Sequence, residues 1–157
     1  MAAVASKQES AKPFNSGVDY DEDNVFSKII AGKIPSFKIF ENDHVLAILD
    51  AFPSAPGHSL LISKVRKSTI MDFTAEEAGN YLKHIPKLSQ MVMTATGCSG
   101  TNVIANSGYD AGQRVFHVHF HVIPRTKDDH LFKNPAPSKE MISGDAAKAM
   151  LSKMGAQ

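Results

Sequence analysis

The 157-residue chain has one cysteine, Cys98, and no tryptophan, and its 17 basic and 16 acidic side chains nearly cancel to a formal net charge of +1. Each shortage excludes something. A lone cysteine allows no internal disulfide and no cysteine-built zinc centre, and it suits a reducing compartment. A near-zero charge leaves no electrostatic footprint for nucleic acid, so no specific nucleic-acid binding is expected. No apolar run approaches the ~18 residues of a membrane span, and the stretch from Met1 to Asp23 lacks the apolar centre of a secretory signal. That stretch has lysine but no arginine and ends acidic, at Asp19, Asp21, Glu22 and Asp23, unlike a mitochondrial presequence. The expectation is a cytoplasmic or nuclear protein with no membrane association.

The length fits one domain with tails. Residues 1–23 are small, polar and aperiodic and read as a mobile N-terminal tail. Asp23 or Asn24 can cap a short helix carrying Val25, Phe26, Ile29 and Ile30 and ending at Gly32. Phe37 to Glu41 and Val45 to Asp50 read as a hairpin around Asn42-Asp43, and His58 to Ser63 as a third strand. Thr74 and Glu77 have capping-box spacing before a helical pattern that runs to Thr96 and stops at Gly97, with Pro86 set to bend it or split it just upstream. Thr101 to Asn106 and Val115 to Ile123 complete five strands. With no crossover helix between most of them, an α+β fold with an antiparallel sheet is expected. The domain is placed at 24–126, and 127–157 is read as a C-terminal extension in which Ala146, Ala147, Met150, Leu151 and Met154 have helical spacing.

The most informative feature is the run His117-Val118-His119-Phe120-His121-Val122-Ile123-Pro124. Strand side chains alternate between faces, so three imidazoles share one side while Phe116, Val118, Phe120 and Val122 share the other. Such a face has little use as a core and suits chemistry. Two chemistries are open. A cation can be held by histidines two apart on a strand, but alternate residues stand roughly 6–7 Å apart, so one ion reaches a third imidazole with difficulty. Alternatively one histidine is a nucleophile, since free imidazole titrates near ~6.5 and attacks and leaves phosphorus readily. The loop ahead of the run offers Asn106, Ser107, Gly112, Gln113 and Arg114. Alone these residues describe a turn; beside the histidines, their amides, hydroxyl and guanidinium fit phosphate oxygens. Asp50, at the end of an apolar strand, can start a turn and also accept both hydroxyls of a ribose. Phe26, Ile29 and Ile48 can wall a slot for a base, or serve as core. His44, His84 and His130 read as surface residues, and Lys64, Arg66 and Lys67 as a solvated charge run.

These residues resemble the histidine triad family, whose signature His-φ-His-φ-His-φ-φ (φ apolar) is met in full by His117 to Ile123. The similarity runs over roughly 24–125 and includes Phe26 to Pro35, Leu49-Asp50, Pro56-Gly57-His58 and Gly112-Gln113-Arg114-Val115, and it is nearest to the Hint-type or general HIT branch. The resemblance implies a five-stranded antiparallel sheet with a short N-terminal helix and one long helix, and a homodimer that joins two sheets into ten strands. It implies a purine-nucleotide substrate substituted at the α-phosphate, typically a phosphoramidate, attacked by His119 to give a nucleotidyl-histidine that water resolves. His121 and Gln113 would contact phosphate oxygens, with Asn106 holding the phosphate. The carbonyl of His117 would fix the tautomer of His119, and His58 would support the cluster. Asp50 would bind the ribose, and Val25, Phe26, Ile29 and Ile48 would flank the base. No metal or other cofactor is implied. Where some relatives carry zinc-binding Cys-x-x-Cys and histidine, this chain has Asn24, Ser27 and Arg66. Arg114 stands where Hint-type members usually have serine, which favours an extended anionic leaving group. The alternatives are therefore a dinucleoside polyphosphate hydrolase and a nucleotide-binding adaptor with little catalysis, with a zinc hydrolase as a third.

Overall fold

Short strands buried on both faces and capped amphipathic helices set the architecture of the computed structural model, which describes residues 16–131 and 139–155. The elements are α1 (Val25–Ile30), β1 (Lys38–Glu41), β2 (Val45–Leu49), β3 (Ser59–Ser63), a 3₁₀ turn (Ile70–Asp72), α2 (Ala75–Leu82), α3 (Ile85–Thr96), β4 (Gly100–Ile104), β5 (His119–Arg125) and α4 (Gly144–Lys153). The five strands form one antiparallel sheet in the order β1-β2-β3-β5-β4. This is the expected α+β architecture.

Local chemistry explains the boundaries. Asn24 Oδ1 accepts the Ser27 amide at 2.9 Å and caps α1, and Gly32 follows with φ +72, a left-handed conformation that a side chain would oppose. Asn42 Oδ1 accepts the amides of His44 and Val45, which tightens the β1–β2 turn. Thr74 and Glu77 satisfy each other's backbone donors at the start of α2, as the capping box requires. The chain leaves helical pairing at Lys83–His84 and restarts with Pro86 in the first turn of α3, where a missing N–H costs nothing. Gly97, at φ 66, closes α3.

The two faces of the sheet are packed differently. Val45, Ala47 and Leu61 from the sheet meet Val118 and Val122 from the histidine run and Tyr81, Leu88 and Val92 from α2 and α3 in a dry cluster. On the other face Leu46, Ile48, Leu60 and Ile62 pack under Phe26 of α1, with Ile29, Ile30 and Val115 around them.

Three differences from the sequence reading stand out. The last strand begins at His119 rather than Val115, because the Val118 amide leaves the ladder and donates to Lys67 O at 3.0 Å, although the Val118 carbonyl still accepts from Ser63 N at 3.0 Å in the β3–β5 register. Residues 16–23, expected within the mobile tail, lie along the domain; Ser16 N donates to Asp72 Oδ1 at 2.8 Å, Ser68 Oγ to Val18 O at 3.1 Å, and Glu22 pairs with Arg66 at 3.0 Å. Residues 1–15 of that expected tail lie outside the described residues. The helical pattern near the C-terminus does form α4, capped by Ser143, but none of its residues is buried. Among the described residues no helix is long and apolar enough to cross a membrane.

Candidate active site

Strand register brings the histidines to the α1 side of the sheet. His119 pairs with Ile62 and His121 with Leu60, so their rings stand beside the apolar residues under Phe26. The Phe26 ring meets that of His119 edge-on at 4.8 Å between centroids, and His119 meets His121 at 5.1 Å. Together they open on a pocket of about 520 Å³. One wall is apolar, from Val25, Phe26 and Ile29 of α1 with Ile48 and Leu60 of the sheet. The other carries Asp50, Asn106, Arg114, His119 and His121. A larger groove of about 690 Å³ lies elsewhere, lined by Pro56, Ala95, Cys98 and Pro124 among others, but no histidine reaches it, and its Asp129 is gripped by Arg125. The chemistry belongs to the smaller pocket.

Hydrogen-bond partners fix where the imidazole protons sit. His119 Nδ1 is 2.7 Å from the carbonyl of His117, and a carbonyl only accepts, so Nδ1 carries the proton and Nε2 keeps its lone pair. No hydrogen bond occupies that Nε2 among the described residues, and no buried side-chain polar atom there lacks a partner, so Nε2 reaches the pocket. Burial holds the His119 pKa below the ordinary histidine value, with nearby His121 acting in the same direction; the carbonyl of His117 and the carboxylate of Asp50 act against this. The neutral, nucleophilic form is thereby favoured.

A second chain of bonds sets His121. His58 Nδ1 accepts the amide of Ser54 at 3.1 Å, which forces the His58 proton onto Nε2. That proton is donated to His121 Nδ1 at 3.0 Å, leaving His121 with an Nε2–H donor. Burial lowers the pKa of both rings, with Asp50 opposing in each case. Asp50 Oδ1 accepts the Phe52 amide at 2.8 Å, and its Oδ2 lies 3.5 Å from His58 Nε2 and 3.9 Å from His121 Nδ1.

Asp50, His58 and His121 therefore place three potential ligand atoms within 4.8 Å of one another, an acid-histidine grouping that the sequence pattern did not suggest. Its wiring is that of a hydrogen-bond relay. A metal-bound imidazole donates its remote N–H to an acceptor, whereas the remote nitrogen of His58 faces the N–H of Ser54. Binding an ion through Nε2 would require breaking that contact or forming an imidazolate.

Three of the site residues expected from sequence do not line the pocket. His58 stands behind His121, as just described. His117 is 1% exposed, with Nε2 against Ser63 O at 2.7 Å and Nδ1 against the Tyr20 hydroxyl at 2.6 Å. Gln113, expected to contact phosphate, has its side chain turned into the protein interior. It is 2% exposed, its Nε2 donates to Ser68 O and Val115 O, and its Oε1 accepts the Gly108 amide. It braces the 108–115 loop from inside; a buried amide must satisfy all its groups locally, and these loop partners do so. Tyr20 is the contact that sequence reasoning missed, an aromatic residue set among acidic ones in a segment without periodicity.

The HIT domain family profile matches residues 31–128 of this chain. The chain belongs to the HIT family. Curated relatives include an adenylylsulfatase, HINT3, from Arabidopsis thaliana, 35% identical over 129 residues, which cover 82% of this chain and 66% of the relative. An adenosine 5'-monophosphoramidase from Schizosaccharomyces pombe is 35% identical over 106 residues, covering 68% of this chain and 77% of that protein. Among solved structures, a HIT family protein from Bacillus anthracis superposes with a TM-score of 0.79 at 33% identity, covering 87% of this chain and 97% of the other.

Proposed function

We propose that the chain is a nucleotide hydrolase acting at the α-phosphate of a purine nucleotide, with adenosine 5'-phosphoramidate as the model substrate. The observation that carries this reading is the unoccupied lone pair on His119 Nε2, facing a pocket that is apolar on one side and polar on the other. That nitrogen attacks phosphorus, the P–N bond to the amine breaks, and the amine leaves as it takes up a proton from solvent. Water then attacks the nucleotidyl-histidine, releasing AMP and restoring the ring. In this reading His121 Nε2–H hydrogen-bonds a phosphate oxygen, supported by its position with Asn106 in the polar wall. Asp50 has an oxygen to offer ribose hydroxyls, while Val25, Phe26, Ile29 and Ile48 form the slot for the base. The names of two family relatives, an adenylylsulfatase and a phosphoramidase, support hydrolysis of an AMP-linked substituent.

A second reading has its own observation. Arg114 is among the residues lining the pocket, and its guanidinium is held over the Tyr109 ring at 4.8 Å with Nη1 donating to Tyr109 O and Gln113 O. A fixed cation there suits a polyphosphate leaving group, as in a dinucleoside polyphosphate. Two copies pairing through α3 and the edge strand β4 also belong to the proposal, supported by the exposed apolar residues Met91, Met93 and Val103 on those elements.

Steady-state kinetics on adenosine phosphoramidate and a dinucleoside polyphosphate, with wild type and His119→Ala, test the reading. Turnover of the phosphoramidate that falls by roughly four orders of magnitude in His119→Ala, with AMP binding retained, is the expected result. Equal turnover in the variant would overturn it, and AMP binding without turnover of either substrate would favour a nucleotide-binding adaptor.

A further inference from the structure

His117 is the histidine of the run held at both ring nitrogens, although it faces no pocket. Its Nε2 lies 2.7 Å from the Ser63 carbonyl and must be the protonated nitrogen, so Nδ1 is a bare acceptor in a residue that is 1% exposed. The group that meets it comes from 97 positions earlier, the hydroxyl of Tyr20 at 2.6 Å. The direction then runs backwards without ambiguity. Having donated to His117, the Tyr20 oxygen accepts from Ser27 Oγ at 2.6 Å, and Ser27 Oγ accepts from Asn24 Nδ2 at 2.9 Å. Asn24 is also the cap of α1, so the relay begins at the helix that forms the pocket's apolar wall.

The backbone gives this relay its importance. The carbonyl of His117 shares its peptide plane with the Val118 amide, which donates to Lys67 O at 3.0 Å and not to a strand partner just before β5 begins at His119, so its setting depends on that one irregular contact and on the His117 side chain. That carbonyl holds the proton on Nδ1 of His119. An imidazole anchored at one nitrogen can still swing, whereas two anchors fix both side-chain torsions and steady the backbone that carries them.

We propose that Tyr20 is a positioning residue for the nucleophile: its hydroxyl locks the His117 ring and, through it, the carbonyl that sets the tautomer of His119. Residues 16–23 are then part of the reacting domain rather than an appendage to it. The kinetic consequence rests on the function proposed above; the tautomeric consequence does not.

The test compares wild type with Tyr20→Phe, which keeps the ring and deletes the donor, using ¹⁵N NMR of the imidazoles and kinetics on adenosine 5'-phosphoramidate. Wild type is expected to show His117 as the Nε2–H tautomer and His119 as the Nδ1–H tautomer. In Tyr20→Phe the Ser63 carbonyl still holds His117 as the Nε2–H tautomer while its Nδ1 resonance shifts on losing the phenol donor, the Nδ1–H signature of His119 weakens, and kcat falls about tenfold with KM within about twofold. An unchanged His119 tautomer or an unchanged kcat in the folded variant would overturn the proposal, because a merely structural role moves only thermal stability. Should Tyr20→Phe not fold, Ser27→Ala, which removes the donor behind Tyr20, takes its place with the same readouts and a smaller effect. A wild-type protein inert toward the phosphoramidate would end the functional reading alone, and the NMR comparison would still decide the role of Tyr20.

Discussion

The two faces of the sheet obey opposite rules although neighbouring residues of one segment supply both. Val118 and Val122 enter a cluster with Leu61, Leu88 and Val92 in which the buried polar atom is the Tyr81 hydroxyl, donated to Leu61 O. Burial pushes that phenol well above its ordinary pKa, so it stays neutral. One residue away, His117, His119 and His121 stand in a wired polar layer where burial lowers every imidazole pKa. The helix face stores stability through area and packing; the histidine face assigns protons through partners. Alternation along a strand lets one element do both without either spoiling the other.

The comparison breaks most readily at its dry side. Leu61→Ala, at a site with 0% exposure, is expected to cost about 3 kcal/mol in denaturant unfolding while leaving turnover by the folded fraction intact. A change below about 1 kcal/mol would mean that the cluster can collapse around the gap. Acidification strikes the other face. His58, His117, His119 and His121 all have folded pKa values below the ordinary one, and an unfolded histidine titrates near ~6.5. Their contribution is fully present above that value and drains away as pH falls below it, because the unfolded chain binds protons first. Thermal unfolding followed from pH 8 to pH 5 should show a steady loss of Tm beginning near pH 6.5; a flat profile would contradict the buried neutral relay. Thr74→Ala, which removes the exposed cap of α2, should cost about 1 kcal/mol with no kinetic effect. A kinetic defect there would show that the faces are not separable.

Much of this is legible in the amino-acid sequence. Alternation identified the histidine face because a strand has a fixed period of two, and Asn24, Thr74, Pro86 and Gly97 marked helix boundaries by local chemistry. Phe26, Asp50, Asn106, Arg114, His119 and His121 do converge on one pocket. What escaped depends on partners distant in sequence. Gln113 looks like a phosphate donor until Ser68, 45 positions away, claims its amide. Tyr20 looks like tail until His117 needs a donor, and the start of β5 moves because Lys67 captures Val118. The approach of Asp50 to His58 and His121 is likewise a product of turn geometry rather than spacing.

The account stands on the free nitrogen of His119. The most direct measurement mixes the protein with adenosine 5'-phosphoramidate, quenches at alkaline pH where a phosphorus–imidazole bond survives, and maps the digest by mass spectrometry. The account predicts one adenylyl group on the peptide carrying His119 and none in His119→Ala. Turnover without an adduct, or an adduct on any other residue, would contradict it.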